Sequence, residues 1–148
     1  QQVLIHLRDV FSTVAMIGEV ELDGLRTRLD TGAESTVQID SHSIVPHLVY
    51  PEEVGRRSRL FSEGFYPPGA GPYSWQKRMV RDGNWKYTRE WSGNAYAESL
   101  FRFEAGAWDE GENLLGDALT DLTQCENEAL DELRTQMDRF EGEVQYEN

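Results

Sequence analysis

A carboxylate at the end of a short predicted strand is the feature of this sequence that could do chemistry. Residues 25 to 29 predict a strand, which delivers Asp30, Thr31, Gly32 and Ala33 at its end. A lone carboxylate is a poor acid–base catalyst, but two carboxylates held side by side cannot both ionise, so one keeps a proton. Such a pair could activate a water with one member and hydrogen-bond a carbonyl oxygen with the other. The chain has one such motif, so a second copy would supply the second carboxylate.

The residues that flank Asp30 suit a paired site. Thr31 offers a short hydroxyl that could hydrogen-bond to the backbone of a partner copy. Gly32 lacks the Cβ that would block a second carboxylate or a substrate backbone, and Ala33 keeps the turn narrow. Asp and Gly are also common turn residues, so the same four residues could be a plain connection between a strand and a turn.

The first half of the chain predicts a hairpin followed by irregular segments. Residues 13 to 22 combine β-branched residues with alternation and predict a strand, and Asp23-Gly24 predicts the turn that leads into the strand over 25 to 29. Residues 46 to 60 read mostly as loop. The Gly and Pro residues between 62 and 72 predict an irregular segment, flanked by strands over about 57 to 61 and 73 to 80.

The second half predicts a β meander and then a helix. Asp82-Gly83 predicts a tight turn with positive φ angles between strands 74 to 80 and 85 to 91. A turn over 92 to 94 and a strand over 95 to 103 follow. Leu114-Leu115-Gly116 predicts a short buried strand, with a short helix over 117 to 122. A helix from 126 to 140 has its apolar residues on one face, which indicates packing on its own domain more than pairing with a partner helix: Leu130, Leu133, Met137 and Phe140.

Two segments resemble a known family. Residues 20 to 37 are similar to the first hairpin and active-site loop of the retropepsins, the dimeric aspartic proteases of retroviruses and related elements. Residues 113 to 122, Asn-Leu-Leu-Gly-Asp-Ala-Leu-Thr-Asp-Leu, resemble the family's apolar pair, Gly and short helix. The order of predicted elements between them is also similar, with residues 62 to 72 as the flap. The likeness covers about residues 13 to 122.

The resemblance implies a mainly β fold, a retropepsin-like closed barrel of hairpins over residues 1–122, with a C-terminal helical extension over 123–148. It implies an aspartic endopeptidase that hydrolyses peptide bonds with an activated water, without a cofactor or metal. Its dyad would hold Asp30 from each of two subunits, with Thr31 locking the two loops together. The substrate-binding residues would be Arg28, Gly32, Ala33, Gly64, Gly69 and Gly71.

Three positions depart from the retroviral pattern. Arg28 stands where the family usually has an apolar residue, and a cation there would favour acidic substrates or lower the pKa of the dyad. Glu34 and Asp117 replace two residues that form a salt bridge in retroviral members. Arg28 does resemble a bacterial branch of the fold whose members are named zinc proteases. His6, His42 and His47 nevertheless lack the spacing of a zinc motif, and a surface or loop role fits each of them better.

Composition limits the kinds of molecule that the protein is expected to bind. Acidic residues outnumber basic ones 27 to 14, which gives a net charge of -13 and disfavours nucleic acid and anionic membranes as partners. Cys125 is the only cysteine, which excludes an intrachain disulfide and favours a reducing compartment. Together with the family resemblance, this implies a cytoplasmic or virion-associated protein more than a secreted one. The sequence predicts no membrane anchor and no intact signal peptide. The expected partners are a polypeptide substrate and a second copy in a homodimer.

Two other functions fit the same residues. The chain could be a binding or assembly module that keeps the barrel but lacks the dyad, because Glu34 and Asp117 would not hold the retroviral dimer together. It could also be one piece of a larger assembly, as the helical tail and the absent initial Met suggest.

Overall fold

The structure, a computed structural model, describes residues 4–22, 26–28, 34–36, 41–52, 57–68, 72–104, 110–116 and 121–143. For residues 26–28, 34–36 and 143 it describes the backbone alone. The chain divides into two compact units, Gln1–Arg57 and Ser58–Asn148. The predicted boundary between residues 122 and 123 stays a prediction.

The first unit begins with a helix where the sequence predicts a strand. Helix α1 spans Asp9–Ile17, so the prediction of a strand over 13 to 22 is wrong. The β-branched residues of this segment prefer strands only weakly, and such preferences yield to tertiary contacts. Here the contacts are hydrogen bonds made by Asp9, Ser12 and Thr13, which the helix buries together with Ala15.

The end of α1 has an unusual residue in its cap. The Val20 N–H donates to the Ala15 carbonyl at 2.8 Å and the Glu19 N–H donates to the Met16 carbonyl at 3.2 Å, which is the bonding pattern of a Schellman motif. Glu19 has φ 55 and occupies the left-handed position that such caps usually give to glycine. Gly18 lies one residue earlier, with φ -82.

A small hairpin and a short helix complete the described part of this unit. Strand β1, Arg26–Arg28, pairs antiparallel with β2, Glu34–Thr36, rather than with residues 13 to 22. Helix α2 spans Val45–Val49, with Pro46 in its first turn, where the missing N–H costs nothing. The prediction of loop from residue 46 is therefore wrong at its start.

The second unit contains the predicted meander. Strands β3 (Leu60–Tyr66), β4 (Trp75–Arg81), β5 (Trp85–Ser92) and β6 (Ala95–Arg102) form one antiparallel sheet in that order. The hairpins are confirmed, but β3 continues to Tyr66, so residues 62 to 66 are strand and not the predicted irregular segment.

The turn between β4 and β5 forms for a different reason from the predicted one. Gly83 does not adopt a positive φ angle. Instead, the Asp82 carboxylate accepts hydrogen bonds from the N–H groups of Asn84 and Trp85, both at 2.7 Å. An Asp side chain that bonds to the backbone two residues ahead closes a turn by itself. Gly93, between β5 and β6, does have a positive φ, 58.

The core of this unit lies between the sheet and α3, Gln124–Glu143. Phe61, Val80, Tyr87 and Leu100 are register partners across the four strands and therefore share one face of the sheet. The helix buries its predicted apolar stripe against that face, where Leu130, Leu133 and Met137 are at most 4% exposed. The prediction that this helix packs on its own domain is confirmed.

The predicted strand at residues 114 to 116, the predicted helix over 117 to 122 and the predicted barrel have different outcomes. Leu114 and Leu115 pack against the core, but they form a turn and not a strand; the Leu114 N–H donates to the Leu100 carbonyl at 2.9 Å. The predicted helix over 117 to 122 lies mostly outside the described residues, and its last two residues have no regular structure. The described strands form a two-stranded and a four-stranded sheet, and neither closes into the expected barrel.

Candidate functional site

The Asp30 motif connects two paired strands. In the hairpin of β1 and β2, Arg26 pairs with Thr36, Thr27 with Ser35 and Arg28 with Glu34. Residues 29 to 33 join the last of these pairs, and they lie outside the described residues, so the positions of the four motif residues stay predictions. What the structure adds is the register, which brings the chain back on itself directly after the motif.

Arg28 and Glu34 are Cα partners in that register. The family resemblance puts two like charges, Glu34 and Asp117, where retroviral members have a salt bridge. The hairpin instead pairs the Glu34 backbone with that of a basic residue. Opposite charges on directly paired residues are mildly favourable in antiparallel sheets. Asp117 lies outside the described residues.

The predicted flap glycines do not share one role. Gly64 lies inside β3 and pairs with Lys77 of β4. A Cβ on Gly64 would come within 3.2 and 3.3 Å of two ring atoms of Trp75, closer than most Cβ contacts. Gly64 therefore makes room for an indole ring that crosses the strand, and its role in substrate binding as part of a flap stays a prediction. Gly69 and Gly71 lie outside the described residues.

A buried ion pair in the first unit was not predicted. The Asp9 side chain is 3% exposed, and its Oδ1 accepts a hydrogen bond from Nη2 of Arg57 at 2.7 Å. Its oxygens also accept from the N–H groups of His6, at 2.8 Å, and His42, at 3.0 Å. Burial alone would raise the pKa of Asp9, but Arg57 and the two N–H groups outweigh it and hold that pKa well below its usual range.

These bonds decide what Asp9 can do chemically. A carboxylate with so depressed a pKa stays ionised, and its lone pairs are engaged, so it is a poor general base. The small cleft beside Asp9 is also lined by Ile5, Ser43 and His47. Asp9 therefore acts as a structural tie between α1 and the segments around residues 42 and 57. Partners that are 33 and 48 residues away leave no local pattern by which the sequence could reveal this pair.

A charged network in the second unit was also missed. The register aligns Glu63, Arg78, Arg89 and Glu98 across the four strands, next to the apolar row that faces α3. Three helix side chains complete the network: Arg134 contacts Glu98, Asp138 contacts Arg89 at 2.6 Å, and Glu141 contacts Arg78 and Arg89 at 3.0 and 2.9 Å. Charges that recur at one register position of successive hairpins are the sequence signal that could have found it.

Glu98 is the acceptor at the centre of this network. Its Oε1 accepts from the hydroxyls of Tyr87, at 2.6 Å, and Tyr96, at 2.5 Å. Burial would raise the pKa of Glu98, but these hydrogen bonds and the one from Arg134 outweigh it, so the pKa lies below its ordinary value. Burial and the hydrogen bond to Glu98 raise the pKa of Tyr87. The network pairs four acidic side chains with three arginines through ion pairs and hydrogen bonds, which suits a clamp between helix and sheet more than a catalytic site.

No three His, Cys, Asp or Glu side chains in the described part of the chain gather as a metal site would require. No helix in the described ranges is long and apolar enough to cross a membrane.

The comparisons with protein-family models, curated proteins and solved structures found no significant match. A functional assignment therefore rests on the residues and the geometry described above.

Proposed function

We propose that the chain is one subunit of a retropepsin-like aspartic endopeptidase, in which Asp30 from each of two copies forms the catalytic dyad. The observation that carries the proposal is the Asp-Thr-Gly-Ala motif, whose residues join two strands paired in register.

In this mechanism a water lies between the two Asp30 carboxyl groups. The ionised carboxylate takes a proton from the water as its oxygen attacks the peptide carbonyl carbon, and the protonated carboxyl donates a hydrogen bond to the carbonyl oxygen. The carboxyl group that took the water's proton then gives a proton to the nitrogen, and the C–N bond breaks as the carbon becomes that of a carboxylic acid. Thr31 would position the loops and Gly32 would leave room for the substrate backbone.

A second function is an inactive binding or assembly module. The observations that favour it are the helix α1, which stands where the family has its first strand, and the described sheets, which do not close into a barrel. The two functions differ in whether the protein cleaves peptides at all.

The test is cleavage of a peptide library by purified wild-type and Asp30→Asn protein, followed by mass spectrometry. Asp30→Asn should lower cleavage by about 10³-fold or more, because the amide cannot exchange the proton that the mechanism needs. Asp23→Asn is the matched control, since it removes another acid of the same unit, and it should cleave normally. Undiminished cleavage by Asp30→Asn would end the assignment, and a wild-type protein that cleaves nothing would favour the binding module.

A further inference from the structure

Helix α1 has its polar residues inside and its apolar residues outside. Asp9, Ser12 and Thr13 are 2%, 7% and 8% exposed. The helix residues on the other side are large, apolar and exposed, and so is Leu7 in the turn that precedes the helix. Together these five residues are called the α1 apolar face: Leu7, Val10, Phe11, Val14 and Ile17. A helix at the surface of a globular protein normally has the opposite arrangement.

The polar side is held in place by bonds that specify the rotation of the helix. The Thr13 hydroxyl donates to the Asp9 carbonyl and accepts from the Ile44 N–H, at 2.7 and 3.0 Å. The Ser12 N–H donates to the Ser41 hydroxyl, which in turn donates to the Arg8 carbonyl, at 3.2 and 2.7 Å. Turning the α1 apolar face inward would break these bonds and the Asp9–Arg57 ion pair. The exposure of the face is therefore built into the fold of this unit.

The α1 apolar face is large enough for a specific interface. The exposed fractions of its five residues are 84%, 48%, 55%, 62% and 70% in chain order. They equal about three fully exposed side chains, or at most about 600 Å² if each is given the roughly 200 Å² of an aromatic side chain. That is at the upper end of the apolar patches found on monomers. Two copies of the face would bury at most roughly 1,200 Å², which is the lower end of specific protein interfaces.

The charge of the chain favours a second copy over a bilayer as the occupant. Residues 10 to 18 carry no charged side chain, so two copies of the face would meet without repulsion between ionised groups. Helices that lie on membranes usually carry Lys or Arg on their polar side. The polar side of α1 is buried and contains Asp9 instead.

We propose that two copies of this chain pair through the α1 apolar face. The inference rests on the proposed function and extends it, because a dyad needs two copies and Asp30 belongs to the same unit as α1. It names the surface on which the partner sits, and a surface built from a helix differs from the pairing of terminal strands that the family resemblance implies.

The test is sedimentation equilibrium of the full chain with Val14→Glu, which places a charge in the middle of the face. The dimer dissociation constant should rise at least about tenfold, because an unpaired charge would be buried at the centre of the interface. Met16→Glu is the matched control. Met16 is 51% exposed on the same helix but lies about 200° around the axis from Val14, so its dimer should match the wild type.

Three results would overturn the inference: a monomeric wild type, equal dimerisation of wild type and Val14→Glu, or loss of binding to zwitterionic vesicles by Val14→Glu without any dimer. Hydrogen exchange over 9–17 would first establish that α1 still forms. Asp30→Asn separates the two proposals, since it should dimerise like the wild type. A dimer broken by Val14→Glu that never cleaves peptides would support the interface and remove the peptidase. Cleavage by a dimer that Val14→Glu leaves intact would do the reverse.

Discussion

The two units of this chain bury opposite kinds of side chain. In Ser58–Asn148 the buried residues are mostly apolar, and they lie between a four-stranded sheet and α3. In Gln1–Arg57 the residues that α1 buries are Asp9, Ser12, Thr13 and Ala15, and its large apolar residues face outward. The second unit satisfies its apolar residues within itself. The first satisfies polar groups within itself and leaves large apolar residues of α1 exposed.

The difference shows that a buried side chain need not be apolar. An apolar core stabilises by removing surface from water, without directional bonds. A polar interior needs every group paired, and the pairing then specifies one arrangement. Mutations in the two units should therefore fail in different ways.

The largest expected effect is in the polar interior. Asp9→Ala should destabilise the first unit by about 3–5 kcal/mol, because it leaves the Arg57 guanidinium partly buried without its carboxylate. Hydrogen exchange of the amides over 9–17 would measure this as faster opening. Glu21→Ala, which removes an exposed acid of the same unit, should leave exchange unchanged. Equal protection in Asp9→Ala and wild type would show that the ion pair does not hold α1.

The pH dependence of this unit should follow the same carboxylate. The pKa of Asp9 is depressed in the folded state, so its contribution is complete above the unfolded pKa of about 3.9 and is lost as the pH falls through the folded pKa. Protection over 9–17 should persist from neutral pH to about pH 4 and decline only in stronger acid.

The apolar core gives the next largest effect. Met137→Ala should destabilise the second unit by about 2–5 kcal/mol, because Met137 is fully buried and truncation leaves a cavity under the sheet. Chemical denaturation followed by tryptophan fluorescence would measure it, since Trp85 lies in the same core. Thr135→Ala, on the exposed side of α3, should change stability by no more than about 0.5 kcal/mol. Similar losses in both variants would contradict the assigned core.

The smallest effect should come from the charged network around Glu98, which lies next to the apolar core of the second unit. Glu98→Gln should destabilise the second unit by about 1–3 kcal/mol, because it weakens charge-assisted hydrogen bonds from Tyr87, Tyr96 and Arg134. Since the folded pKa of Glu98 is depressed, its contribution is present above about pH 4.3 and is lost in acid. Denaturation at pH 7 and pH 3 should show a smaller difference in Glu98→Gln than in Glu104→Gln, an exposed control. Identical pH dependence in both would exclude Glu98 as the titrating group.

The sequence predicted the elements whose causes are local. Alternation and close turns gave the hairpins of β4, β5 and β6, and a stripe at helical spacing gave α3. Even there the reason for one turn differed, because the Asp82 side chain closes it and Gly83 does not take a positive φ angle. The prediction of an irregular segment over residues 62 to 72 was wrong at its start, since Gly64 makes room for Trp75 from an adjacent strand.

For the candidate site, the sequence predicted a chemistry and not a geometry. The sequence by itself determined the chemistry that Asp30 could perform, because that depends on residue types in one short stretch. It also determined the net charge and the face of α3 that would be buried, because both follow from composition and spacing.

The tertiary structure decided which partner β1 takes and which side of α1 faces inward. The β-branched residues of α1 suit a strand, and its apolar pattern alone would place Val14 inside. The helix forms with Val14 outside because Ser41, Ile44 and Arg57 supply the bonds that its polar side needs. Those bonds join residues roughly 30 to 50 positions apart, and no local pattern encodes contacts over such separations.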